Sequence, residues 1–153
     1  MKKKFGNYLA KPDETIEEHI EKLLKELERV RRYGYIEDDE LYRLVKLACI
    51  HHDDGKINPV MQNRLKRAKY GQHILFNQDK EVPHNVLSGF FLNPDEFKEF
   101  ENPKMSYYRV LFAILYHHDY GNPTEIMKEN KELIRSLLDG FCVNDINKRS
   151  VRA

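Results

Sequence analysis

The sequence predicts an all-α fold, an irregular helical bundle forming one domain over residues 1–153. Three observations predict it. Apolar residues recur at three- and four-residue spacing through nearly the whole chain. Between those stretches stand helix starts and stops: Asp, Thr, Ser or Pro before an apolar run, Gly or Asn-Pro after it. No stretch alternates apolar and polar residues as a half-buried strand does.

The first helix starts in Asp13-Glu14-Thr15-Ile16-Glu17-Glu18, where Thr15 and Glu18 form a capping box. Ile16, Ile20, Leu23, Leu24, Leu27 and Val30 make its stripe, and Gly34 follows its end. His19 lies one turn from both Ile16 and Leu23, so it points inward. A second helix starts at Asp38 or Asp39, with Leu41, Leu44, Val45 and Ala48 as its buried stripe. Four residues beyond Ala48 comes His52, so His52-Asp53 closes the helix facing the core, and Gly55 lets the chain turn. Residues 55–58 read as a loop. Pro59 suits the first turn of a third helix through Met61 and Leu65, ending near Gly71, before a polar loop over 71–81. Pro83 opens a short helix over 84–92, with His84, Leu87, Ser88 and Phe91 on one face; a further short helix covers 96–101. Ser106 caps the next helix, in which Val110, Leu111 and Ile114 lead to His117 and His118 near the C-terminal end. After the turn at Gly121-Asn122-Pro123-Thr124, a last helix covers 125–138, or continues to 147.

Composition removes several function classes. Lys plus Arg number 26 and Asp plus Glu 25, so the net charge is +1, which argues against a histone-like binder of nucleic acid. Cys49 and Cys142 form no CxxC and fit a reducing, cytoplasmic setting. No apolar run reaches the roughly 18–20 residues of a membrane span. The start Met1-Lys2-Lys3-Lys4 lacks the apolar stretch of a secretory signal. No GxxxxGK[S/T] loop is present, so this chain is not itself a helicase motor.

Five of the seven histidines form a spaced series: His19, His52, His84, His117 and His118. With Asp53 they offer imidazole and carboxylate lone pairs near neutral pH, the donors a divalent-metal site needs. One inward histidine is more often a hydrogen-bonded core residue than a ligand. Several imidazoles and a carboxylate buried together without a cation leave polar groups unpaired, at roughly 1–3 kcal/mol each. The set as a whole therefore reads as a metal centre. His51 faces away from the side His52 lines and reads as a solvated or helix-terminal histidine. Asp54 reads as a solvated loop carboxylate, and Asp119 as a group beside the ligands or merely exposed. Ser88 and Asn85 read as hydrogen-bonding groups that orient a ligand, with Ser88 equally a small residue that allows close helix packing. Arg64, Lys66, Arg67 and Lys69, near Tyr70, read as a solvated helix face first, and second as a surface for phosphates with Tyr70 stacking on a base.

The run His52-Asp53-x-Gly55-Lys56 resembles the signature of HD-domain metallophosphohydrolases. In order along the chain stand Tyr8-Leu9-Ala10-Lys11-Pro12, Glu18-His19, the HDxGK run with Asn58-Pro59 and Gln62, Pro83-His84-x-x-Leu87-Ser88, and His117-His118. This set resembles the HD nuclease domain of CRISPR type I interference, from about Tyr8 to Gly121. The chain departs from that pattern at Asn85, where Ser is frequent, and at Asp119-Tyr120, which precede Gly121.

The resemblance implies an HD-domain bundle with a buried dinuclear site. His19, His52, Asp53 and a late Asp, Asp145 in preference to Asp139, would hold one metal. His84, His117 and His118 would hold the other, with Asp53 bridging. It implies an endonuclease hydrolysing phosphodiester bonds of single-stranded DNA by a metal-activated water, with Lys56 stabilising charge on the phosphoryl oxygens. Imidazole-rich ligation favours Mn²⁺, Co²⁺, Ni²⁺ or Fe²⁺ over Mg²⁺. The implied partners are a helicase, as subunit or fused domain, and an RNA-guided surveillance complex. Two other readings compete: an HD-class phosphohydrolase of mononucleotides or cyclic dinucleotides, and a non-enzymatic, metal-stabilised module of a defence complex.

Overall fold

The structure, a computed structural model, describes residues 7–140, and Asp145 and Cys142 lie outside them. The described residues are mostly helical. Two very short strands precede the first helix: β1 (Leu9–Lys11) and β2 (Glu14–Thr15), antiparallel, with Leu9 opposite Thr15 and Lys11 opposite Glu14. The sequence pattern predicts no strand here. Segments of three and two residues are too short to show an alternating pattern. The Gln62 side chain fixes β1: Leu9 N donates to its Oε1 (2.9 Å), and its Nε2 donates to Leu9 O (2.8 Å) and to Lys56 O (2.7 Å).

Helix α1 (Ile16–Arg32) begins with the expected capping box, Glu18 N to Thr15 Oγ1 at 3.2 Å and Thr15 N to Glu18 Oε2 at 2.8 Å. It ends on Gly34, whose φ of +79° brings Tyr35 N to Val30 O (3.2 Å) and Gly34 N to Arg31 O (2.9 Å). Asp38 caps α2 (Asp39–His51). Residues Asp54–Ile57 form a 3-10 turn where a loop was expected, and Asn58 caps α3 (Pro59–Ala68). Helix α4 spans His84–Gly89, ending short of residue 92.

Three boundaries differ further from expectation. Asn93 caps a 3-10 turn, Pro94–Phe97, in place of a helix over 96–101. Asn102 rather than Ser106 caps α5 (Pro103–Leu115): its Oδ1 accepts from Met105 N at 3.1 Å, Pro103 takes the first helical position, and Ser106 is buried inside the helix. The single last helix is two, α6 (Pro123–Glu129) and α7 (Lys131–Asp139). Asn130 breaks it at φ −112° and ψ 24°, its Nδ2 donating to Ile126 O at 2.9 Å; this is the local competition that asparagine offers a helix.

Two apolar clusters hold these elements. Ile16 and Ile20 of α1 pack with Ile57, Val86, Leu87, Phe91 and Ile134. Leu44 of α2 packs with Leu92, Phe97, Phe100, Val110 and Ile114. Every residue of α4 is buried, so a helix of only six residues is held by its surroundings rather than by its own propensity. The 3-10 turn lies directly on α4. A Cβ at Gly55 would overlap His84 O and stand 2.7 Å from Ser88 N and 2.8 Å from Leu87 Cβ. Gly55 does not have a positive φ. Glycine is required there for close approach to α4, and not for the turn that the sequence reading assigned to it. No helix among the described residues is long and apolar enough to cross a membrane.

Candidate metal centre

Four helices deliver five imidazoles to one carboxylate. His19 sits in the first turn of α1, His52 caps the end of α2, His84 is the first residue of α4, and His117 and His118 follow the end of α5. Their rings form a belt, with centroids 5.4 Å apart for His19–His52, 5.1 Å for His52–His117, 5.3 Å for His84–His117 and 4.9 Å for His84–His118. Asp53 lies inside the belt and is 1% exposed. Its Oδ2 faces His19 Nε2 at 3.7 Å and His52 Nε2 at 3.4 Å. Its Oδ1 faces His84 Nε2 at 3.2 Å and His117 Nε2 at 3.9 Å. Two sets of ligand atoms result, His19–His52–Asp53 and His84–His117–His118, with the atoms of each set within 4.8 Å of one another.

Hydrogen bonds behind the rings set which nitrogen faces inward. His52 Nδ1 donates to Cys49 O (2.8 Å), and His117 Nδ1 donates to Ile114 O (2.6 Å). Both carbonyls lie in the last turn of a helix, where main-chain acceptors lack helical partners. A carbonyl only accepts, so the proton is on Nδ1, and in the neutral ring the lone pair is on Nε2, toward Asp53. His19 Nδ1 meets Glu14 Oε2 at 3.2 Å in the same way.

The electrostatics match the donor set. Burial pushes the His117 imidazole down to about 4, and lowers His19, His84 and His118 as well, which keeps these rings in the neutral form that ligates. Burial acts to raise the Asp53 carboxyl, but His52, His84 and Lys56 outweigh it and hold the group well below the usual carboxylate range. Asp53 Oδ1, His84 Nε2 and His117 Nε2 are buried with no hydrogen-bond partner. Buried polar atoms that face one another in this way are costly. A cation among them is the group that satisfies all three, so the residues present fit a divalent metal.

Neighbouring groups divide into those that support this centre and those that do not touch it. Lys56 donates to Asp53 Oδ2 (2.8 Å) and to Ala10 O (3.1 Å), so it anchors the carboxylate. Ser88 Oγ accepts from Gly55 N (2.8 Å) and donates to His84 O (2.8 Å), fastening the 3-10 turn to α4 rather than orienting a ring directly. Asn85 Nδ2 donates to Leu115 O (2.5 Å), tying α4 to the end of α5 that carries the histidine pair. Asp119 is exposed. Asp139 is exposed at the end of α7 and belongs to neither ligand set. Lys66, Arg67, Lys69 and Tyr70 are exposed, and Arg64 pairs with Glu81.

The reading of His51 and Asp54 as solvated is corrected. Both are buried, with His51 Nδ1 2.7 Å from Asp54 Oδ2 and Nε2 3.0 Å from Glu96 Oε2. The face opposite His52 is not solvent, because the Pro94–Phe97 turn brings Glu96 against it. His51→Ala removes the buried hydrogen-bond partner of Asp54 and Glu96, and we expect it to destabilise the metal-free chain by about 1–3 kcal/mol in urea unfolding.

Sequence reasoning missed Glu14. Its hydrogen bond from Lys22 (2.5 Å) lowers its carboxyl first, burial opposes this, and Lys11 at 3.0 Å lowers it further, to about 2. The charged form therefore persists beside His19. The only trace in the sequence is a carboxylate just before the capping residue. Glu14→Gln is expected to weaken metal binding at the His19 set about 10- to 100-fold, leaving the His84 set intact, as two-site calorimetry with Mn²⁺ would measure.

The leucine-rich stripe of α2 is also redistributed. Leu44 is buried, but Leu41 is exposed, and Val45 and Ala48 line an apolar cavity of about 630 Å³ that reaches His19, His52 and His117. No protein-family model, curated protein or solved structure matches the chain.

Proposed function

We propose that the chain is a metal-dependent phosphodiesterase that cuts single-stranded DNA, of the HD nuclease kind its ordered motifs resemble. The observation that carries this reading is one buried carboxylate whose two oxygens each face a separate imidazole set. His19, His52 and Asp53 would hold one divalent ion, and His84, His117 and His118 the other, with nitrogen-rich donors favouring Mn²⁺, Co²⁺, Ni²⁺ or Fe²⁺ over Mg²⁺. Such ions supply a lowered pKa for water and neutralisation of charge on a phosphoryl group.

The chain's own residues supply position and electrostatics. Main-chain carbonyls and Glu14 aim the imidazole lone pairs. Lys56 holds Asp53 in its ionised form and adds positive charge where a phosphodiester would lie. The nearly balanced net charge implies weak, sequence-independent holding of the strand, so the reading includes delivery by a helicase, as subunit or fused domain, within an RNA-guided surveillance complex of CRISPR type I interference.

Circular single-stranded DNA incubated with a panel of divalent metals tests the proposal. Linearisation by the wild type with Mn²⁺, Co²⁺, Ni²⁺ or Fe²⁺, absent in Asp53→Ala, is expected. Intact circles under every metal would overturn it. Phosphate release from mononucleotides with no cutting of DNA would replace it with a nucleotide phosphohydrolase.

A further inference from the structure

Two cavities reach the Asp53 centre, and their chemistry differs. The apolar one, of about 630 Å³, touches His19, His52 and His117, and its charged walls are Asp38, Glu40 and Arg109, two carboxylates against one cation. The other, of about 520 Å³, touches His84 and His118. Its charged walls are Lys56, paired with Asp53, and Arg64, paired with Glu81. It also holds the aromatic rings of Phe76 and Tyr120 and the amide of Gln78.

We propose that the second cavity is a nucleoside subsite, seating the base next to a phosphodiester placed at the His84–His117–His118 set. The proposal rests on the hydrolase reading above and gives its substrate a position. A phosphate-linked strand is repelled by the first cavity's carboxylates, and a base buried among its aliphatic walls would lose its hydrogen bonds. The second cavity supplies what a nucleoside needs: aromatic faces to stack on, and an amide with donors and an acceptor for a base edge.

The placement of the two rings supports this. Tyr120 lies 4.8 Å from the His118 ring at 33° and 6.0 Å from the His84 ring, beside the ligand set itself. Phe76 comes from the distant loop after α3, and the Arg64 guanidinium stands 5.5 Å from its centroid. Phe76 is 43% exposed and Tyr120 52%. Large rings left half-exposed around a cavity beside the ligand set are surfaces that a flat ligand covers.

Two oligonucleotides of equal length form the test, one of ordinary single-stranded DNA and one built of abasic tetrahydrofuran residues. The full chain with Mn²⁺ is expected to cut the ordinary strand roughly tenfold or more better in kcat/KM. Tyr120→Ala is expected to lower kcat/KM on the ordinary strand several-fold more than on the abasic strand, chiefly through KM, and Tyr120→Phe to restore it. Equal cleavage of both strands by the wild type, or equal losses on both in Tyr120→Ala and Phe76→Ala, would overturn the subsite while leaving hydrolysis standing. A second measurement needs no hydrolysis. In the metal-free chain, dAMP is expected to shift the ring resonances of Tyr120 and Phe76, and deoxyribose 5-phosphate is not; identical responses to the two would also overturn the subsite.

Discussion

On the proposed function, Asp53→Ala is expected to abolish binding of both proposed metal ions and to lower phosphodiester cleavage by about 10³-fold or more. Among the described residues, no other carboxylate faces both ligand sets. Its loss leaves Nε2 of His19 and His52 without a facing carboxylate on one side, and Nε2 of His84 and His117 without one on the other. The Lys56 ammonium also loses its buried anion and keeps only the Ala10 carbonyl. Asp53→Asn is the sharper variant. It keeps the volume but replaces one lone-pair oxygen with an NH₂ group that repels a cation. Metal content per chain is expected to fall from two to one, with activity lost. Elemental analysis after gel filtration in Mn²⁺, paired with single-turnover cleavage, measures both. Two ions retained in Asp53→Ala would remove the bridging role.

Gly55→Ala is expected to cost about 3 kcal/mol or more in stability and to weaken metal binding as well. The added methyl meets main-chain atoms of α4, His84 O and Ser88 N, which cannot rotate aside as a side chain does. The 3-10 turn and α4 must then separate, stretching the Gly55 N to Ser88 Oγ bond and moving His84 relative to Asp53. Urea unfolding should show a lower midpoint with an unchanged slope, as for a native-state defect. A midpoint within experimental error of wild type would mean that the two segments are less tightly apposed than described.

The positions of the histidines were legible because they depend on local periodicity. His19 follows from Ile16 and Leu23, and His52 from Ala48, by counting along a helix. The same counting located the cap at Thr15 and the glycine after α1. Where elements meet across space, counting did not suffice. His51 has the correct helical phase, pointing away from His52, but what it points at is set by a turn 45 residues away that carries Glu96. Glu14 depends on a pair of strands too short to leave a pattern. The Asn102-Pro103 pair was a readable helix start, yet Ser106, a residue of equal capping propensity, drew the boundary inward. The identity of a late carboxylate ligand falls on Asp145, outside the described residues, so the structure neither adds it to nor removes it from the His19 set.

The carbonyls behind His52 and His117 have an evolutionary corollary. Both belong to the main chain, which no substitution deletes, so the orientation of these two imidazoles is insulated from sequence drift as long as α2 and α5 end where they do. His19 is aimed instead by a side chain. Adjustment of metal preference, by selection or by engineering, therefore has a handle at Glu14 that these two helix ends do not offer.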